Sequence, residues 1–361
     1  MSSAPHSIIE HCARWILRLQ RPDGAILWLE SGIFDPWNHT ESAMALAAAG
    51  HVDAARAAYD HLIAIQRDDG ALPGQCGASV PLDAANRRLM ADQSQNLVDT
   101  NFTGYCALGV WHLYQVSGDA ADLQRYASLV DAAVGFVLAH QSRHGEIAWR
   151  AREKGEALED VDALRSGNCA LYKSLQAAIC IRRSLGRPAT ELEQARMALG
   201  HALRNRPDRF DRTWPSKAGY AMDWYYPVLC GLLSGDEARA HLLARRDDFI
   251  DDGLGCRCVT DEPWTTVAET AELALALLAL GERQRAQTLL SWCAPLRAQE
   301  GGYFMGWQSQ EDIIWPMERP SWTAAAMVLA QDALHHISPA ASVPCGALTP
   351  AASARPQSAR M

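Results

Sequence analysis

The sequence predicts an all-α protein, an (α/α)6 toroid in which six helical hairpins set an inner ring of helices inside an outer ring. Three observations carry this expectation. Six helices that are apolar nearly all round alternate with six amphipathic ones. A Gln-x-x-x-Gly turn recurs as Gln20 to Gly24, Gln66 to Gly70 and Gln141 to Gly145. Strand signals are short and confined to loops, as at 25–29 and 303–307. A helix apolar on every side must be buried on every side, while amphipathic helices cover it from outside. Repeats of this length stack so that each unit buries a face against its neighbours. An open solenoid of paired helices is the competing arrangement, but it needs a capping repeat with a polar outer face, and none is evident.

The elements follow in order. Residues 6–20 place Ile8, Ile9, Cys12, Trp15, Ile16 and Leu19 at helical spacing and stop at the Gly24 turn. Asp35-Pro-Trp then opens an apolar, small-residue helix closed by Gly50, and an amphipathic helix at 52–66 ends in the Gly70 turn. A polar insertion at 74–98 precedes Asp99-Thr-Asn-Phe, which opens the next inner helix, stopping at Gly118, and 120–141 is its outer partner. The later copies are less regular. Gly167 to Gly186 is paired with 190–205, Gly219 to Gly235 with 236–249, Trp264 to Gly281 with 282–299, and Trp315 leads into 323–336. After His336 the chain is rich in Ala, Pro and Ser, a composition that buries little surface. The expected organisation is a toroid over 1–336 and a disordered tail over 337–361.

Composition narrows the function. A formal net charge of −9, with Lys and Arg scattered singly, leaves no basic patch to neutralise a row of phosphates, so nucleic acid is not an expected partner. No apolar run reaches the roughly 18 to 20 residues of a spanning helix, and the first residues lack the plan of a signal peptide. A soluble, cytoplasmic protein is expected. The ten cysteines are spread along the chain and read as reduced, and Cys256-x-Cys258 without a second pair is a weak zinc signal. No cofactor or metal is expected.

Gln20-x-x-x-Gly24 with Trp28, and Gln141-x-x-x-Gly145 with Trp149, resemble the Gln-Trp motifs of terpenoid cyclase and protein prenyltransferase toroids. They are equally similar to the turns of six-hairpin glycosidases. Asp35-Pro-Trp, Asp99-Thr-Asn-Phe, Met222-Asp-Trp-Tyr-Tyr-Pro and Trp322-Thr-Ala-Ala also resemble bacterial proteins labelled prenyltransferase. The resemblance covers 1–336 and implies the helical ring; fold does not imply function. Two departures bear on the chemistry. Cyclases that start by protonation carry Asp-x-Asp-Asp, whereas Val98-Asp99-Thr100-Asn101 lacks that proton donor. The Asp, Cys and His zinc set of protein prenyltransferases has no match either.

In such a ring the loops entering the inner helices meet around one cavity. The acids at those mouths are Asp35, Glu41, Asp99, Asp223, Glu269 and Glu318, expected to supply the catalytic pair. Trp37, His39, Asn101, Lys173, Trp224, Tyr225, Trp315 and Trp322 are expected to bind substrate. Acids with flat rings suit a sugar: one carboxyl protonates the leaving oxygen, a second activates water or attacks carbon, and rings cover the pyranose face. Twelve tryptophans against six phenylalanines lean the same way. Simpler roles stand beside these. Asp35 and Asp99 can be helix caps, Glu318 an ion pair with Arg319, His39 a hydrogen-bonded structural residue, and Lys173 a partner of an acid. Glu41, Asp223 and Glu269 lie in apolar context, where an unpaired carboxylate is costly unless it faces a wet cavity.

The sequence therefore points to a metal-independent, glycoside hydrolase-like enzyme with paired carboxylates acting on a small-molecule, glycan or glycolipid substrate. An epimerase would want two facing histidines, and only His39 sits at an inner mouth. An isoprenoid or polyprenyl-glycolipid enzyme and a non-catalytic glycan- or protein-binding toroid are the alternatives.

Overall fold

A computed structural model describes residues 5–30, 32–77, 98–153 and 155–348. Among them are twelve helices of nine or more residues. The outer helices are α1 (Pro5–Leu19), α3 (Val52–Ile65), α5 (Ala120–Ala139), α7 (Thr190–Asn205), α9 (Gly235–Ala244) and α11 (Arg283–Trp292). The inner ones are α2 (Pro36–Ala48), α4 (Thr100–Ser117), α6 (Arg165–Ser184), α8 (Ala221–Leu229), α10 (Val267–Ala279) and α12 (Ser321–His335). Each inner helix packs on the next, and α12 returns to α2, so the ring closes as an (α/α)6 toroid. The N-terminal α1 packs mainly on α12, joining the two ends of the chain. Trp15 donates its indole N–H to the Arg319 carbonyl at 2.8 Å across that seam. The ring thus has no free end to cap.

The inner helices are small-residue rods for a steric reason. Ala43, Ala45 and Ala47 of α2 and Ala324, Ala325 and Ala330 of α12 are at most 1% exposed, because neighbours press on every side. At Gly109 a Cβ would come 2.4 Å from Thr40 and 2.6 Å from the Tyr59 hydroxyl, so glycine there lets α2 and α3 approach α4.

The repeated turn has a mechanical role. Gln20 donates to the carbonyls of Gly24 and Ala54, Gln66 to those of Gly70 and Leu129, and Gln141 to those of Gly145 and Ala195. One amide therefore closes its own turn and fastens it to the next outer helix. The turn glycine has positive φ and is pressed against that same helix. A Cβ on Gly70 would lie 2.2 Å from the Ala132 carbonyl oxygen. Gly70→Ala is expected to destabilise the protein by about 3 kcal/mol, combining left-handed strain with a backbone clash. Gly50→Ala, also at positive φ but with open space around it, costs about 1 kcal/mol. Chemical denaturation of the two variants checks the contrast, and equal losses would refute the clash.

Three findings concern the loops and the end of the chain. The insertion at 74–98 lies outside the described residues from 78 to 97. A five-stranded antiparallel sheet forms from the loop segments β3 (Ile250–Asp251), β4 (Gly255–Arg257), β5 (Trp264–Thr266), β6 (Gly306–Gln308) and β7 (Ile313–Ile314), in that order; β1 (Ile33–Phe34) and β2 (Cys76–Gly77) pair separately. The third is a correction to the expected tail. Residues 337–348 turn back under the ring, with Ala340, Ala341 and Val343 buried. Ser338 bonds both oxygens of Asp332 at 2.6 Å, and the Gly346 N–H reaches the Leu229 carbonyl at 2.9 Å. Small side chains lose little rotamer freedom on burial, so a segment poor in large hydrophobes still docks when a groove fits it. Residues 349–361 are outside the described residues.

Candidate active site

The N-terminal ends of the inner helices surround a cavity of about 520 Å³. That size lies within the range of about 300–1,000 Å³ usual for small-molecule sites. The cavity gathers Trp37, Glu41, Asp99, Asn101, Asp223, Glu269 and Trp322 from the residues singled out in the sequence, and adds Asn38, Trp149, Tyr220, Tyr226 and Glu272. Five carboxyl groups therefore line it, from α2, the start of α4, α8 and α10.

Asp99 ends the loop before α4 with extended backbone and accepts the N–H groups of Asn101 and Phe102 at 2.7 and 3.0 Å. It is both a cap and a cavity residue. Burial drives its pKa up to about 7, the nearby Asp35 charge adds to this, and the two N–H groups oppose it. Glu269, in the first turn of α10, accepts a hydrogen bond from the Thr266 hydroxyl, and the Cys258 thiol is bonded to it as well. Glu272 lies one turn further on the same helix face.

Glu272 accepts from both Tyr225 and Tyr226, the latter at 3.0 Å. Glu41 accepts from Tyr105 at 2.9 Å. Burial raises the pKa of each, and the Glu41 charge raises Glu272 further. Two carboxyls so placed hold protons more readily together than either would alone in water. On α8, Asp223 is 7% exposed, with Arg165 at 3.5 Å from one oxygen and, among the described residues, no partner for the other. Burial raises its pKa and Arg165 opposes the rise. Asn101, which also lines the cavity, has a buried Oδ1 without a partner among the described residues. Indoles form the walls. Trp37 stacks on Tyr105 at 4.0 Å, and Trp322 meets Trp28 edge-on at 5.5 Å.

Other expected site residues have different places. Asp35 does not line the cavity: its oxygens accept from Trp28 Nε1, Asn38 N and Asn38 Nδ2 at 2.6–2.9 Å, so it caps α2 and orients Asn38. His39 is a structural residue. Its Nδ1 accepts from the Ile26 N–H, its Nε2–H donates to the Ala58 carbonyl, and burial lowers its pKa to about 4. Lys173, midway along α6, is not among the residues of this cavity but lines a second, smaller one that Glu41 and Glu272 also line; it donates to the Leu229 and Pro344 carbonyls at 3.1 and 2.6 Å and so fastens the docked C-terminal segment. Burial lowers its pKa to about 8. Trp224 stacks on Phe249 at 4.9 Å behind α8, and Tyr225 is fully buried with its hydroxyl on Glu272. Glu318 gives its backbone carbonyl to the Met305 N–H and is not among the cavity residues. Trp315 stands outside the cavity on the sheet. Cys256 and Cys258 are free thiols, as are all ten cysteines, and no group of three metal-ligating side chains occurs among the described residues. Nor is any helix among them long and apolar enough to cross a membrane.

No family model matches the chain. It is 41% identical over 327 residues to the MMP endo-(1,4)-3-O-methyl-alpha-D-mannosidase of Mycolicibacterium hassiacum, covering 91% of this chain and 86% of the relative. The chain belongs to the family of that mannosidase. It is a glycoside hydrolase. The hydrolase also shares its fold with a glycosidase of known structure (TM-score 0.67, 17% identity, 92% of this chain and 97% of the other). A GH63 mannosylglycerate hydrolase from Thermus thermophilus in complex with glucose is similar too (TM-score 0.62, 13% identity, 89% and 99%). A D-mannose isomerase matches at a TM-score of 0.64 with 10% identity, over 91% of this chain and 96% of the other. At such identities these likenesses speak for the hydrolase's fold alone. The isoprenoid expectation finds no support in these relatives.

Proposed function

We propose that the protein cleaves α-mannosidic bonds within a glycan chain, without a metal, with Asp99 as general acid and Glu269 as the base that activates water. The observation that carries the assignment is the placing of these two groups. The α4 and α10 mouths are the second and fifth of six, so a sugar in the cavity lies between them. Asp99 keeps its proton near neutral pH, as a group that must protonate a leaving oxygen requires. Glu269 is positioned by a hydroxyl and a thiol. Asp223 with Arg165, Asn38 and Asn101 supply hydrogen-bonding groups for sugar hydroxyls, and the indoles cover ring faces.

The opposed mouths that carry the two carboxyls favour the inverting arrangement, in which a water lies between base and anomeric carbon. The endo-mannosidase relative favours an internal, methylated α-(1→4)-mannoside as substrate. Incubation with α-(1→4)-linked 3-O-methylmannose oligosaccharides, followed by proton NMR, is expected to show the β-anomer of the new reducing end first, in EDTA as well as without it. Initial α-anomer would overturn the inverting assignment, and no cleavage of any mannoside would overturn the substrate assignment.

A further inference from the structure

Outside the cavity, the loop sheet carries an aromatic surface that the assigned chemistry does not use, and strand register ties it to Glu269. In β5 the side chains of Trp264 and Thr266 project from the same face, because successive residues alternate. Thr266 is the residue whose hydroxyl holds Glu269. Its cross-strand neighbour on β6 is Gly306, and the Trp315 N–H bonds the Gly306 carbonyl at 3.0 Å, which sets Trp315 opposite that glycine. Thr266, Gly306 and Trp315 thus form one row. The next row out is Trp264, Gln308 and Ile313.

A Cβ on Gly306 would lie 2.5 Å from Trp264 Nε1, so the absence of a side chain there is what lets the indole lie over β6. The same Nε1–H donates to the Trp315 carbonyl at 2.7 Å, and the two indoles meet edge-on at 5.5 Å and 74°. Among the described residues, Trp315 is 52%, Met317 71% and Ile313 40% exposed. This is a pre-ordered aromatic step beside aliphatic side chains, on the strand face that reaches Glu269 through Thr266.

We infer that this step, Trp264 and Trp315 with Ile313 and Met317, is an outer subsite for the sugar residues of a glycan chain that extends beyond the cavity, and that it selects O-methylated sugars. The inference rests on the glycoside hydrolase reading of the cavity and adds what binds next to it. An endo-acting site cuts a chain that continues past the reacting ring, and the continuous face from Thr266 to Trp315 gives that continuation a surface. C–H faces of pyranoses stack on indoles, and methyl ethers bury apolar surface against Ile and Met where hydroxyls would be desolvated.

The test compares wild type, Trp315→Ala, Trp315→Phe and Met317→Ser on α-(1→4)-linked mannose oligosaccharides of increasing length, with and without 3-O-methyl groups. The wild type is expected to gain in kcat/KM with length, more steeply for the methylated series. Trp315→Ala should lose about tenfold on the longest methylated chain through KM, with the shortest cleavable substrate unaffected. Trp315→Phe should retain most of the gain, and Met317→Ser should narrow the preference for methylated chains. A loss equal at all lengths, or none at any, would overturn the outer subsite while leaving the mannosidase reading intact. If the wild type cleaves none of these chains, the mannosidase reading fails, and the subsite fails with it.

Discussion

Glu269→Gln is expected to lower kcat by roughly 10³-fold on a mannoside substrate, within the 10²–10⁴ range of a general base, with little change in KM or in melting temperature. The amide keeps the shape and accepts the Thr266 hydroxyl bond through its carbonyl oxygen, but it cannot take a proton from water. Removing the side chain altogether, in Glu269→Gly, opens room for a small anion. Azide should then restore turnover, giving the β-mannosyl azide that attack from the water side requires. If the glutamine variant keeps more than a tenth of wild-type kcat, Glu269 is not the base. An α-mannosyl azide would place the nucleophile on the wrong face and refute the inverting geometry.

Asp99→Asn should cost about as much, roughly 10²–10⁴-fold in kcat/KM for a natural leaving group, but with a different signature. A nitrophenyl mannoside, whose phenolate leaves without a proton, should lose far less. Asn is as good a helix cap as Asp, so the N–H groups of Asn101 and Phe102 stay satisfied and the substitution isolates the proton. In the wild type, kcat/KM should fall as pH rises through about 7, where Asp99 loses its proton. The falling limb should be absent from the nitrophenyl reaction. Stability changes in a related way. The folded state holds this proton up to about 7 while an unfolded aspartate releases it near 4. The folded state therefore binds more protons between those values, and stability declines as pH rises through them. Asp99→Asn should remove its share of that decline, leaving the share of Glu41, Glu272 and Asp223, whose pKa values burial also raises, and denaturation midpoints of the two proteins between pH 4 and 8 measure the difference. An unchanged pH profile and an equal loss on both substrate types would remove Asp99 from the acid role.

Much of the ring was legible because it is written in composition. The Gln20, Gln66 and Gln141 turns repeat because each performs the same stitch to the next outer helix. The all-round apolar character of α2, α4, α10 and α12 announces burial on every side. Glu41, Asp223 and Glu269 could be picked out because a carboxyl in apolar surroundings needs a wet space to face, and Asp99 because it stands just before an inner helix. Glu272 was missed although it is three residues from Glu269. That spacing, which puts both on one helix face, was the available signal. Arg165 gave none, since only the fold brings it within 3.5 Å of Asp223.

Errors at the site share one cause. An inner helix touches the cavity, two neighbouring inner helices and an outer helix at the same depth, and sequence position fixes depth without fixing direction. His39 and Trp224 lie at the right depth and face away, toward Ala58 and Phe249. Lys173 is on the right helix but about two turns deeper than its mouth, where it meets the C-terminal segment. That segment was read as a tail because its composition carries little hydrophobic area. Whether it docks depends on the groove beneath α6 and α8.

By itself, the sequence of this protein determined a closed ring of helical hairpins with carboxyls and indoles at the inner mouths, because periodicity and the cost of burying charge are local properties of the chain. Only the tertiary structure decided which carboxyls face one another, that Asp35 serves as a cap, and that Trp264 and Trp315 extend the face that holds Glu269. Those outcomes depend on the rotation of each helix about its axis and on strand register, which are set by packing against partners distant in sequence.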